Sequence, residues 1–222
     1  MITLYGAMAS RAHRVVWMLK ELALPFQHVP TPFQDGSTQQ PAFLALNPNG
    51  RVPVLDDQGL LLFESLAINL HLARRYGGPP LDLAARDSTE EALATQWSFW
   101  VATEVEKPLL LASANRRLFA PNQRQEAEAQ MALDKLSRPL KVLDAHLATR
   151  AHLLGERFTV ADLNVATVLD LAPQCEISLA AWPRVQQWHQ RCLARPAAAD
   201  WRDIHFNIPR PPTALGVLKM FV

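Results

Sequence analysis

The 222-residue chain has only two cysteines, Cys175 and Cys192. Two are too few for a disulfide framework, and they lack the spacing of a metal site. No apolar run reaches the length needed to span a bilayer. Met1 runs almost directly into the strand-like Ile2-Thr3-Leu4-Tyr5, without the basic and apolar regions of a secretory leader. Neither charge is in excess, with 22 Lys and Arg against 21 Asp and Glu, so no electrostatic footprint for nucleic acid or an anionic membrane is present. Internal repeats and low-complexity tracts are missing as well. These absences imply a reduced, cytoplasmic protein with no metal, nucleic-acid or membrane partner, and with both cysteines inert and buried. The length leaves room for one large domain or two modest ones with real cores.

Strand signals are confined to about the first 78 residues. Ile2-Thr3-Leu4-Tyr5 is closed by Gly6. From Ser10 the pattern turns helical: Ala12, Val15, Val16, Met18, Leu19 and Leu22 share one arc opposite His13, Lys20 and Glu21. Ser10 precedes that run as an N-cap or first-turn residue. Leu24-Pro25 stops the helix, Phe26-Gln27-His28-Val29 reads as a second strand, residues 30–40 as loop, and residues 41–46 as a short helix. The informative stretch follows. Proline cannot donate to a ladder, so Val52-Pro53 must lie at an edge, a bulge or a cis bend. Asp56-Asp57-Gln58-Gly59 supplies the hairpin glycine, and Leu60-Leu61-Leu62-Phe63 the return strand. Glu64-Ser65 then stands where strand becomes helix, with Ser65 as N-cap. The free amides and partial positive charge of such a start suit a carboxylate ligand. Glu64 is costly to bury unpaired; a ligand ammonium, Arg51 or an arginine from another chain would resolve that. On the helix from Ser65 to Tyr76 only His71, Arg74 and Arg75 form a polar arc, so it is covered on two sides. The order predicts a small mixed sheet with helices packed on it, a thioredoxin-like arrangement.

Gly77-Gly78-Pro79-Pro80 is the strongest punctuation in the chain. It divides a domain at 1–78 from a linker at 79–88 and an all-helical domain at 89–222. Residues 87–119 read as one long helix kinked at Pro108. Trp97 and Trp100 on it read as core, with one of them a candidate pocket wall. Ala120-Pro121-Asn122 breaks the pattern before a second long helix at 123–149, faced by Leu133, Leu136, Leu140, Leu143 and Leu147. Thr159 and Asp162 form a variant capping box, with Asp162 a structural acid rather than a base. Trp182-Pro183 opens a helix to about Leu193, Pro196 a short last one. The apolar, proline-rich tail from Ile208 is expected to lie extended on the body.

The thioredoxin-like half, Val52-Pro53, Glu64-Ser65 and Thr159-Val160-Ala161-Asp162 together resemble a cytosolic glutathione transferase over nearly the whole chain. Tyr5-Gly6-Ala7-Met8-Ala9-Ser10-Arg11 is similar to the serine-type, phi-like enzymes. The resemblance implies an enzyme that binds glutathione as co-substrate, activates its thiolate for attack on an apolar electrophile, and forms a homodimer. It implies that Ser10 donates to the sulfur, with Tyr5 the alternative donor, as a tyrosine is in tyrosine-type relatives. Val52 pairs its backbone with the cysteinyl part, with Pro53 cis; Glu64 meets the γ-glutamyl ammonium and Ser65 its carboxylate. Arg11, Trp97 and Trp100 would border the electrophile. Arg11 and Arg14 otherwise read as solvated or salt-bridged, with Arg11 within reach of the thiolate region. Two departures mark an atypical, bacterial-type member. Thr38 and Gln39 fall at glutathione-binding positions where the phi pattern has histidine and lysine, and Arg51 at one where it has glutamine. The glycyl carboxylate thereby loses one partner and gains Arg51 as another. A second class of function, a non-catalytic ligand-binding or protein-interaction module, shares this fold, as do other glutathione-dependent reactions.

Overall fold

The computed structural model describes residues 1–198. Most of the short helix expected from Pro196, and all of the tail from Ile208, lie outside the described residues. In chain order the elements are β1 (Ile2–Tyr5), α1 (Ala12–Glu21), β2 (Phe26–Val29), α2 (Pro41–Leu44), β3 (Val54–Asp57), β4 (Leu60–Phe63) and α3 (Ser65–Tyr76). The helical half follows as α4 (Ser88–Trp100), α5 (Lys107–Ser113), α6 (Glu126–His146), α7 (Val160–Leu169), α8 (Leu171–Gln174) and α9 (Pro183–Leu193).

The sheet runs β2-β1-β3-β4. β1 and β2 are parallel because α1 is the crossover between them, while β3 pairs antiparallel with both β1 and β4. Gln58 and Gly59, both at positive φ, make the two-residue turn of the β3–β4 hairpin. The hairpin is tied to α3 through the buried Asp57 carboxylate, which accepts from Tyr76 at 2.8 Å and pairs with His71 at 2.7 Å. α1 lays Ala12, Val15, Met18 and Leu19 into the core. β4 is one of the two sheet edges and leaves Leu60, Leu61 and Phe63 exposed. The helix spans the expected 65–76, but Ser65 is its first helical residue and Glu64, not Ser65, occupies the cap position.

The expected kink at Pro108 takes the form of a π turn. α4 continues into wide turns at Val101–Glu106, then α5, then a second π segment at Ala114–Leu118. Proline has no N–H for the i→i−4 ladder, and a widened turn upstream accommodates the missing bond. α6 carries Pro139 inside it, which the sequence pattern did not single out.

α7 is buried on every side and is the axis of the helical half. The capping box forms at its start. Thr159 N and Oγ both approach Asp162 Oδ2, at 3.0 and 3.1 Å. The other oxygen of Asp162 accepts from Leu153 N and Trp188 Nε1, each at 2.9 Å. One fully buried carboxylate therefore satisfies donors from the α7 cap, the preceding loop and α9. A buried polar chain joins the two halves: Asn69 on α3 donates to Asn164 on α7 at 2.9 Å, and Asn164 donates to Ser98 Oγ on α4 at 2.9 Å.

Removing the Asp162 carboxylate strands several buried donors at once. Asp162→Ala is expected to lower the unfolding free energy by about 3 kcal/mol or more, and Thr159→Ala by about 1 kcal/mol, the usual cost of a lost cap. Urea unfolding of both variants measures this; a loss at Asp162 no larger than that at Thr159 would contradict the hub role.

Candidate active site

A cavity of about 410 Å³ opens between the sheet half and the helical half. One wall is the loop before β3. There Asn47 Nδ2 donates to Arg51 O at 2.7 Å, fixing Arg51 beside the cis Val52–Pro53 bond. This loop approaches the start of α1 closely. A Cβ on Gly6 would lie 2.7 Å from Ala12 Cβ and 3.3 Å from Val52 Cβ, so only glycine lets the three meet. The second wall is Glu64-Ser65. Glu64 has φ +70°, an uncommon conformation for a side-chain-bearing residue, and it is exposed to the cavity. Ser65 is buried at the N-terminus of the 12-residue α3.

The third wall is ionic. Arg11 Nε meets Glu106 Oε1 at 2.5 Å, and Arg14 Nη2 meets the same oxygen at 2.8 Å. Arg14 is buried, and its other terminal nitrogen lies 3.5 Å from Ser65 Oγ. Burial alone would raise the Glu106 carboxyl, but Arg14 and then Arg11 overcome it and hold the group down to about 2. Burial likewise pulls the Arg14 guanidinium down, opposed by Glu106. Behind them His13, with Nδ1 2.7 Å from Ser10 O, is pushed down to about 3 by burial and by Arg14. The remaining wall is apolar: Leu66, Ala67, Leu70, Phe99 and Ala102.

Among residues expected from the sequence, the cavity brings together Arg11, Arg51, Val52, Pro53, Glu64 and Ser65. Ser10 stands just outside the lining. Its hydroxyl donates to Ala7 O at 2.6 Å and accepts from Ala12 N at 3.2 Å, so it serves the first turn of α1 although Arg11 holds the formal cap position. Tyr5 sits in β1 and does not line the cavity. Three expectations are corrected. Thr38 is buried within the short turn at Ser37–Gln39, and Gln39 turns its amide to Gly50 O at 3.2 Å; neither lines the cavity. Trp97 and Trp100 pack edge to face, 5.0 Å between centroids, against the core rather than the cavity. Their helix and the π turn after it instead present Ser98 and Phe99, then Ala102 and Glu106. Glu106 was missed altogether. The available signal was Arg14, a guanidinium inside the apolar run of α1 that requires a carboxylate from elsewhere.

Residues 1–74 match the family model for the glutathione S-transferase N-terminal domain, and residues 101–196 that for its C-terminal domain. The chain belongs to the glutathione S-transferase family. It is similar to glutathione S-transferase 3 of Zea mays, 34% identical over 226 residues, covering 95% of this chain and 96% of that protein. It is similar also to glutathione S-transferase GstB of Escherichia coli (strain K12), 31% identical over 89% of this chain and 95% of the relative. Among solved structures, the theta class glutathione S-transferase of Xanthomonas axonopodis pv. citri, with glutathione bound, superposes with a TM-score of 0.82. That pair is 28% identical, over 89% of this chain and 94% of that one. These matches place the fold, a mixed four-stranded sheet followed by a helical half, within the glutathione transferase fold.

The ionic wall and the buried histidines contribute to the acid stability of this family member. His13 at about 3 and His189 at about 4, both lowered by burial from 6.5, stay neutral when folded. Below about pH 6.5 the unfolded chain binds protons that the folded chain refuses, so stability falls with pH. The contribution of Glu106 is present above its ordinary 4.5 and is lost as pH drops toward about 2. Denaturant unfolding is therefore expected to give less stability at pH 5 than at pH 7, with a further loss below pH ~4.5. Glu106→Gln should weaken that lower window and cost about 3 kcal/mol at pH 7 by leaving Arg14 without its anion. A flat profile from neutral to acid pH would refute this account.

Proposed function

We propose that the cavity binds glutathione along Val52 and the start of α3, and presents its thiolate to an apolar electrophile. As a member of its family the chain is a glutathione transferase, an enzyme with glutathione as co-substrate. The observation that carries the binding mode is the convergence of Val52-Pro53, Glu64-Ser65 and three guanidiniums on one cavity. The γ-glutamyl carboxylate takes the Ser65 hydroxyl and the amides at the head of α3, where the helix dipole favours an anion and Arg14 backs Ser65 with charge. Glu64 receives the γ-glutamyl ammonium. The backbone of Val52 pairs with the cysteinyl residue, and Arg51 meets the glycyl carboxylate.

Ser10 acts on the sulfur. Its hydroxyl hydrogen points to Ala7 O in the free protein. Turning it to a thiolate exchanges a neutral hydrogen bond for a charge-assisted one. The thiol proton leaves to solvent, the sulfur lone pair forms the new carbon–sulfur bond, and the leaving group departs with its bonding pair. Phe99, Ala102 and Leu70 give the electrophile an apolar wall. The exposed Leu60, Leu61 and Phe63 of β4 support a two-fold homodimer across this sheet edge. The free thiols of Cys175 and Cys192 are compatible with a reducing, cytoplasmic setting and a detoxifying role.

With an aryl halide acceptor, Glu64→Gln and Ser65→Ala should raise KM for glutathione about tenfold while sparing kcat, each removing a hydrogen bond to a charged group. Ser10→Ala should lower kcat about tenfold to a hundredfold for the same reason, now at the reacting atom. An unchanged rate in Ser10→Ala sinks the assignment of Ser10, and the absence of glutathione binding by calorimetry at millimolar ligand sinks the binding mode. Light scattering at micromolar protein should report a dimer; a monomer would refute the two-fold interface.

A further inference from the structure

The hydrogen bonds around the start of α1 leave one set of donors unused. Ser10 gives its hydroxyl hydrogen inward to Ala7 O, and Arg14 is buried against Glu106 and Ser65. Arg11 is different. It lines the cavity, its side chain is 35% exposed, and its hydrogen bond to Glu106 uses only Nε. No hydrogen bond of its two terminal amino groups is formed among the described residues. Glu106 thus grips the guanidinium from the side and leaves its four terminal N–H donors available.

The position of those donors relative to a bound tripeptide follows from packing around Gly6. Val52 Cβ and Ala12 Cβ both lie close to the point where a Gly6 side chain would begin. A cysteinyl residue paired on the backbone of Val52 therefore ends at the first turn of α1, where Arg11 meets the cavity. Charge agrees with this placement. The ionised groups facing the cavity are Arg11, Arg14 and Arg51 against Glu64 and Glu106, which leaves one positive charge in surplus before any ligand enters. Arg14 and Arg11 share a single carboxylate oxygen. Glu106 cannot neutralise both, and Arg14 is the buried one. With one carboxylate shared between two guanidiniums, Arg11 keeps part of its positive charge for the cavity it lines.

We propose that Arg11 is a catalytic residue of this enzyme: its terminal amino groups face the glutathione sulfur as a fixed counter-charge, alongside the Ser10 hydroxyl. The proposal rests on the glutathione-binding reading above. Glu106 is the positioning residue, brought to the guanidinium by the π turn that precedes Pro108. A cation within about 4–6 Å favours the thiolate over the thiol, and one that is already held in place costs no reorganisation when the thiol ionises.

The test is the pKa of the bound thiol, read from thiolate ultraviolet absorbance of the enzyme–glutathione complex against pH, in wild type, Arg11→Met and Arg11→Lys. Arg11→Met should raise that pKa by about one unit, a tenfold loss of thiolate below it. Arg11→Lys should recover most of the shift, because it keeps the charge. Calorimetry below the bound thiol's pKa should show nearly unchanged glutathione affinity in Arg11→Met, since the thiol form does not need the cation. An unshifted pKa in Arg11→Met, with glutathione bound, overturns the role of Arg11 alone. A shift in Arg11→Lys equal to that in Arg11→Met also overturns it, because the charge would then not be what acts. Failure of the wild type to bind glutathione overturns the binding reading and this proposal together. Arg11 is partly exposed at the cap position of α1, and matching unfolding midpoints of the variants confirm that the comparison is between folded proteins.

Discussion

Glu106 is the constraint on which the active-site geometry depends. Arg14 is buried at the centre of the contact between α1 and the helical half, and an ion so placed carries a desolvation cost of several kcal/mol unless an anion meets it. The anion comes from the other half of the chain, on a turn that departs from α-helical winding. The pairing does more than balance charge. It fixes the distance between α1 and the π segment, and so the width of the cavity whose walls they form. The same contact places a guanidinium nitrogen of Arg14 at the Ser65 hydroxyl. The start of α3 is thereby held by the pair that also bounds the other side of the site. The Asn69–Asn164–Ser98 chain runs beside it as a second polar crossing, and Ser98 belongs to the cavity wall. Both crossings are buried, so neither is screened by salt as a surface pair would be.

What could be read from the sequence was local. The glycine of the β3–β4 hairpin, the proline before β3, the acid and serine at the head of α3 and the Thr159–Asp162 box each depend on a few adjacent residues and on backbone rules that hold in any fold. The parallel crossover and antiparallel hairpin followed from the order of such signals. Long-range pairing was not legible. Glu106 looks like any helical acid until Arg14 is known to be buried opposite it. The choice between Trp97 and its neighbours as cavity wall turns on which face of α4 the sheet half meets, and no local signal carries that. Thr38 was assigned a ligand-facing role from its place in a motif, whereas its side chain is taken into the fold. Ser10 was placed at the start of α1, but the direction of its hydroxyl depends on Ala7 O, three residues back along the chain.

The two ends of the cavity are built with different stiffness, and on the proposed binding mode this decides where selectivity resides. At the γ-glutamyl end, Ser65 is buried at the head of a 12-residue helix, Arg14 is locked behind it, and Glu64 is held in an uncommon backbone conformation by the strand before it and the helix after it. Groups pre-set in this way lose little freedom on binding, so each contact contributes nearly its full strength. At the glycyl end Arg51 is exposed on a loop held through its backbone by Asn47, with Gln39 bonded to Gly50 rather than to the cavity. A long side chain on such a loop must be ordered by the ligand, which offsets much of what an exposed ion pair contributes. Recognition is then asymmetric. On that binding mode the γ-glutamyl and cysteinyl parts are read by fixed groups, and the third residue by a single exposed cation that accepts any carboxylate within its reach.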